Sequence, residues 1–295
     1  MKRVIKKYLI LAEFVLLPFI CLSAWLFKSI RKAGLSNLPL SKKILLKIGV
    51  YPLIDHYYQP QFNFEQLLLE QNSERTLPSI DWNINEQLEL LDSMKHFKEL
   101  TEIPKEKHNE LEFYLNNGTF DSGDAEYWYQ IIRLKKPKRI IEIGSGNSTL
   151  MAIKAINKNK QEDSSYDCWH VCIEPYEMPW LEKTDATVIR SKVEDVDLSF
   201  FSQLGANDIL FIDSSHVIRP DGDVLYEYLQ LLPTLNEGVI VHVHDIFSPN
   251  NYVNMSFNDD TIFWNEQYLL EAFLSNNNDW KVIGALNLLQ HKYHD

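Results

Sequence analysis

The sequence predicts an α/β protein: a Rossmann-like, doubly wound, mostly parallel sheet with helices on both faces, preceded by a helical N-terminal region with a hydrophobic segment. Three observations predict it. From Arg139 onward, short β-rich runs alternate with helical stretches. Those runs are continuously apolar, as strands covered on both faces must be. The first of them ends in a glycine-rich turn that opens a helix, the arrangement of a nucleotide-binding βα unit. The 295 residues, 45% hydrophobic and 24% charged, suit one large or two small domains. They exclude a wholly disordered chain, a collagen-like repeat and a polytopic membrane protein. No 20–50-residue repeat is visible, which argues against a solenoid.

The predicted organisation has three parts: a basic segment over 1–50, a mixed, mostly helical cap region over 51–120, and a ligand-binding domain over 121–295. Residues 1–50 carry ten Lys/Arg against one acid, Glu13, a net +9, while the remainder carries −21. A body this acidic repels phosphate backbones, so nucleic acid is not the expected partner. The basic segment suits an anionic membrane surface. Within it, Tyr8 to Phe27 has 17 apolar residues in 20, the length that crosses a bilayer as a helix. The readings are a membrane anchor (spanning or interfacial), a buried or partner-binding helix, and a cleaved signal peptide. The last lacks a small-x-small site, because Leu22 stands two positions before Ala24. Six Lys/Arg stand on the C-terminal side of the run and four on its N-terminal side, which favours a cytoplasmic location for the domain beyond it. Cys21, Cys168 and Cys172 are odd in number and contain no C-x-x-C. Along a strand Cys168 and Cys172 would lie roughly 13 Å apart, beyond disulfide reach, so a reducing compartment is expected.

The aromatic-rich stretch 49–60 reads as irregular, either a cap over the core or a pocket wall. A helix is expected from Asn83, with Asn83 and Glu86 as a capping pair and Leu88, Leu91, Met94 and Phe97 as its apolar stripe. Another spans Asp124 to Leu134, stopped by Lys135-Lys136-Pro137. Strands are expected at Arg139–Ile143, Trp169–Ile173, Ala186–Arg190, Asp208–Ile212, Gly238–His244 and Trp280–Ala285. Helices are expected at Ser148–Asn157, Leu198–Leu204, Val224–Leu232 and Glu266–Ser275. A further strand would have to fit within Leu286–Lys292.

Ligands bind beyond the carboxyl ends of parallel strands, and the chemistry-bearing residues stand there. The first strand runs into Glu142-Ile143-Gly144-Ser145-Gly146-Asn147-Ser148-Thr149. Its glycines permit a sharp turn and close approach of a ligand, and the free amides at the helix start favour polar or anionic groups. Ser145, Asn147 and Ser148 complete this candidate loop. Glu174, 28 residues past Gly146, ends the second strand, where a carboxylate accepts the hydroxyls of a ribose. Thr149 replaces the third glycine that dinucleotide enzymes favour. S-adenosylmethionine (SAM) has no phosphate but carries an ammonium, which Glu142 is placed to meet directly or through water.

On these residues the chain resembles the class I SAM-dependent methyltransferases. It is most similar to the methyltransferase-24 type of domain, near the macrocin O-methyltransferase and cephalosporin hydroxylase-like proteins. The resemblance covers about residues 120–290 and rests on Ile141–Thr149, Ile209–His216 and Val241–Asp245. It implies adenine contact from the loop containing Glu194, and it places Asp213 at the edge of the cofactor pocket. It also implies Asp213 and Asp245 as ligands of a possible Mg²⁺; the catechol-type relatives have Asn after the second Asp, where this chain has Ile246. The fourth and fifth strands end at Asp213-Ser214-Ser215-His216 and His244-Asp245, so these four groups are expected to share a cleft. An acceptor hydroxyl must lose its proton as it attacks, and imidazole does this at neutral pH. His216 is the expected base, with His244 as the reserve and Asp245 beside them. Tyr252, Phe257 and Trp264 in the loop after the fifth strand offer flat faces to a sugar ring. The expected function is SAM-dependent O-methylation of a small-molecule or glycan hydroxyl at the cytoplasmic face of a membrane. The alternatives are an NAD(P)-dependent Rossmann oxidoreductase or epimerase, against which no Tyr-x-x-x-Lys element stands out, and a non-catalytic, membrane-tethered SAM-binding module.

Overall fold

A computed structural model describes residues 2–54, 56–61, 73–252 and 263–293. Phe257, a candidate sugar-facing ring, lies outside them. The chain divides into two compact units, residues 1–70 and 71–295. The first contains helix α1 (Lys2–Ala33) and helix α2 (Pro39–Ile48), joined through Gly34 and a 3₁₀ turn over Leu35–Asn37. The apolar run thus sits inside a longer helix. Its Ala12–Ala33 part is long and apolar enough to cross a membrane and has no buried residue.

The second unit begins its regular structure with α3 (Ile84–Ser93), the short α4 (Phe97–Leu100) and α5 (Asp124–Lys135). Asn83 does not cap α3 as expected. Its backbone is left-handed (φ 49°), it makes no side-chain cap bond, and its amide reaches across to the Val282 carbonyl at 3.1 Å. Met94 is buried, but Phe97 is exposed, because the chain breaks after Ser93 and restarts on a different face.

Among the described residues, five parallel strands form one sheet: β1 (Arg139–Ile143), β2 (Trp169–Ile173), β3 (Thr187–Ile189), β4 (Ile209–Ile212) and β5 (Ile240–Val243), in the order β3-β2-β1-β4-β5. The central strands are mostly apolar, Glu142 and His170 excepted, and both faces are covered. Ile140, Cys172, Ile209 and Phe211 pack with Trp128 and Ile132 of α5 and with Met151 and Ala155 of α6 (Asn147–Glu162). Ile141, Ile143, Val171, Leu210 and Ile212 pack on the other side, with Phe201 of the 3₁₀ segment Leu198–Gln203 and Val224 of α7 (Asp223–Tyr226). Leu269 and Phe273 of α8 (Glu266–Leu274) join them.

The expected strand Trp280–Ala285 is absent. Its peptide groups bond to side chains instead of a ladder: the Ile283 carbonyl accepts from Tyr127 Oη at 2.8 Å, and the Ala285 amide donates to Gln87 Oε1 at 2.6 Å. Leu286–Lys292 is a helix, α9, so no strand fits there. The single helix expected over Val224–Leu232 is divided: α7 passes into a π-turn over Glu227–Leu231 and then a 3₁₀ turn containing Pro233. Proline lacks the amide that a continuing helix needs. The 198–204 helix is a 3₁₀ segment, 198–203.

Arg133, on α5, fixes the helical layer. Its side chain is wholly buried, and its guanidinium grips Glu99 with Nε at 2.9 Å, Glu162 of α6, and Asn159. The Arg133 hydrogen bond holds the Glu99 carboxyl down to about 2, against the upward push of burial. Removing one partner of such a buried pair strands the others. Arg133→Ala is therefore expected to cost about 3–5 kcal/mol in urea unfolding; a loss below about 1 kcal/mol would class the network with exposed ion pairs.

Candidate functional site

The register of the sheet builds the site. Gly144 N donates to the Ile173 carbonyl at 3.0 Å, Asp213 N to Ile143 at 2.8 Å, and His244 N to Ile212 at 2.9 Å. Glu174, Gly144, Asp213 and His244 therefore stand in a row at neighbouring strand ends. Gly144 has φ 75°, and a Cβ there would lie 1.8 Å from the Asp213 carbonyl oxygen. Only glycine permits this approach, which welds the turn after β1 to the end of β4.

At Gly146 a Cβ would meet only the Met178 methyl, at 3.6 Å, an ordinary contact. Space is therefore open there, bordered by the segment after β2. Ser145 Oγ is buried without a hydrogen-bond partner among the described residues, as a hydroxyl awaiting a ligand would be. Glu174 is buried, and its Oε1 accepts from the amides of Tyr176 and Glu177, each at 2.9 Å. Those bonds orient the carboxyl and leave Oε2 for another donor. Arg190, not singled out from the sequence, clamps the same segment by donating to the carbonyls of Glu174 (3.1 Å), Glu177 (2.6 Å) and Met178 (3.1 Å). Asn147 donates to Asn117 Oδ1 at 3.0 Å and Thr119 Oγ1 at 2.7 Å, tying the 117–119 loop to the turn. Glu194 lies in a 3₁₀ turn after β3, 3.9 Å from Lys192 Nζ.

Glu142 is fully buried, with its oxygens already engaged. Ser148 Oγ (2.8 Å) and Thr149 Oγ1 (3.1 Å) donate to Oε2, and His170 Nε2 holds Oε1. It braces the first turn of α6 from beneath, and Ser148 is part of that brace. Burial disfavours charge on His170, but Cys172 and Glu142 outweigh it and hold the imidazole up to about 10. Nothing in the sequence marks His170 as the partner, because it occupies an ordinary strand position on β2.

The four groups expected at the ends of β4 and β5 do come together. His216 is buried, with Nδ1 2.7 Å from Glu266 Oε2 and Nε2 3.3 Å from Asp213 Oδ1 and 3.6 Å from Asp245 Oδ2. Its ring lies 4.4 Å from the Trp264 ring, centre to centre. His244 is buried beside Phe120, its nitrogens 3.7 Å from Asp124 Oδ2 and 3.7 Å from Asp245 Oδ1. Two residues not singled out from the sequence join this cluster: Asp124, the first residue of α5, and Glu266, the first of α8. Both read in sequence as helix-start acids. The ligating atoms of Asp213, His216 and Asp245 all lie within 4.8 Å of one another. Burial pushes the Asp245 and Asp124 carboxyls upward. Burial also opposes charge on His216, but its hydrogen bonds to Asp213 and Glu266 prevail and hold it up to about 10. The ring therefore keeps its proton at neutral pH in this arrangement.

Residues 141–246 match the family model described as "Methyltransferase domain". Those bounds enclose both the glycine turn and Asp245. An uncharacterized protein of Archaeoglobus fulgidus is 33% identical over 167 residues, covering 52% of this chain and 74% of that protein. No solved structure matches the chain. The parallel sheet, the glycine turn and the family match agree: residues 141–246 of the chain are a class I SAM-dependent methyltransferase-type domain.

Proposed function

We infer that this protein is a SAM-dependent O-methyltransferase acting on a small-molecule or glycan hydroxyl. The observation that carries the reading is the strand-end row: an open glycine turn and an oriented ribose acid at one end, and a buried acid–imidazole cluster two strands away. The residues fit the donor. Ser145 Oγ and the open side of Gly146 take its amino-acid portion, Glu174 Oε2 takes its ribose, and the Glu194 turn borders its base. Glu142 acts through the loop it braces. The sulfonium supplies an electrophilic methyl carbon; the chain supplies alignment and exclusion of water.

A hydroxyl acceptor must also lose a proton. His216 is positioned for it: Nε2 faces the cleft between Asp213 and Asp245, and Glu266 supports the ring from behind. Proton acceptance requires the carboxylate charge around the ring to be offset. Asp213 and Asp245 fit a divalent cation of the Mg²⁺ class, which would supply that charge and lower the acceptor's pKa. His244, flanked by Asp124 and Asp245, supports the electrostatics of the cleft. Tyr252 and Trp264, with ring centres 5.8 Å apart, form one wall for the acceptor. The exposed apolar face of α1 is the reason to place the enzyme at a membrane, and the charge flanking it favours the cytoplasmic face.

Gly146→Val is expected to keep the fold, because its site is open, yet abolish SAM binding in isothermal titration; unchanged affinity removes the turn from the cofactor site. Glu174→Gln is expected to weaken SAM by about 1.5–3 kcal/mol, roughly ten- to a hundredfold, and tighter binding of NAD than of SAM by the wild type would favour an oxidoreductase. With methyl-labelled SAM and cell extract, EDTA is expected to suppress transfer and Mg²⁺ to restore it; transfer indifferent to EDTA leaves His216 without a cation.

A further inference from the structure

Helix α2 carries a surface that the methyltransferase reading does not use. Leu40, Ile44 and Ile48, spaced i, i+4 and i+8, form one stripe and are 77%, 58% and 68% exposed. On one flank of the stripe the adjacent Leu45 is buried, and Leu46, on the far side of the helix, is exposed. Lys43 and Lys47 border the stripe on the remaining flank at helical spacing, and Lys42 stands further round. A short amphipathic helix with lysines beside an apolar stripe is the pattern of a helix lying in a lipid interface.

Two further observations identify the occupant of this stripe. First, only five residues separate the end of α1 at Ala33 from Pro39. A chain that short reaches at most about 20 Å, so α2 is confined to the neighbourhood of the basic end of α1, with Lys28, Arg31 and Lys32. Second, the same unit exposes Tyr51, Tyr57 and Tyr58. The last two have ring centres 4.2 Å apart, tilted by 33°, and the neighbouring Gln59 Oε1 accepts from Arg31 of α1 at 3.4 Å. Tyrosines beside the basic end of an apolar helix occupy the headgroup level of bilayers.

We propose that α2 is a second membrane contact, an interfacial helix that lays Leu40, Ile44 and Ile48 into an anionic phospholipid surface with Lys43 and Lys47 at the headgroups. The proposal rests on the anchor reading of α1 and adds a lipid preference to it. A span holds any bilayer of the right thickness, whereas a lysine-flanked stripe senses headgroup charge.

The test uses the full chain reconstituted in vesicles, with Cys21→Ser and Ile44→Cys; Cys168 and Cys172 are buried. A membrane-impermeant maleimide reports access to position 44. Labelling is expected to be about tenfold slower in 7:3 phosphatidylcholine/phosphatidylglycerol than in phosphatidylcholine alone. Adding Lys42→Gln, Lys43→Gln and Lys47→Gln is expected to erase the difference. Alkaline carbonate extraction reports on α1 separately. Retention of the protein with equal labelling in both vesicles overturns this proposal and leaves the anchor standing. Extraction with the lipid-dependent protection intact overturns the anchor and upholds the α2 surface.

Discussion

Residue 144 must have no side chain, and much of the site depends on that. Its α-carbon faces the Asp213 carbonyl so closely that a Cβ would sit 1.8 Å away. The turn after β1 and the end of β4 are consequently one rigid piece. On the proposed reading, a donor at the turn and an acceptor beside Asp213 would keep a fixed separation, on which in-line transfer depends. Gly146 does the opposite work: it leaves open space where Gly144 closes it. Two glycines of one motif thus serve packing and access.

Charge is arranged on the same plan. Beneath the turn, Glu142 and His170 form a buried, hydrogen-bonded pair that fixes the start of α6. In the cleft, Asp213, Asp245, Asp124 and Glu266 outnumber His216 and His244. Hydrogen bonds to Asp213 and Glu266 favour the charged form of His216. The Glu142–His170 pair braces the glycine turn, and the cluster at the ends of β4 and β5 is the one proposed for the chemistry. That division explains why His170 and His216, both buried and both paired with carboxylates, have different tasks.

The sheet is legible in the sequence where its physics is local. β1 and β2 fall at the expected residues because strands covered on both faces are mostly apolar, and their ends are marked by Gly144 and Glu174. The gathering of Asp213, His216, His244 and Asp245 is legible because parallel strand order fixes which ends are neighbours. Trp280–Ala285 misleads because its apolar, β-branched run is satisfied by Tyr127, Asn83 and Gln87, residues remote in sequence. Asp124, Glu266, His170 and Arg190 are invisible for the same reason. Each is an ordinary residue until the fold sets it against a partner. Asn83 shows the limit of cap patterns: the tertiary bond to Val282 outweighs the local one.

The most direct measurement is a crystal structure of the protein with S-adenosylhomocysteine, the demethylated donor. The account predicts the ribose hydroxyls on Glu174 and the amino-acid tail along Ser145–Asn147, with the sulfur facing the cleft between Asp213 and Asp245. Electron density for the ligand away from the β1 turn, or a Glu174 carboxyl that does not touch the ribose, would contradict it.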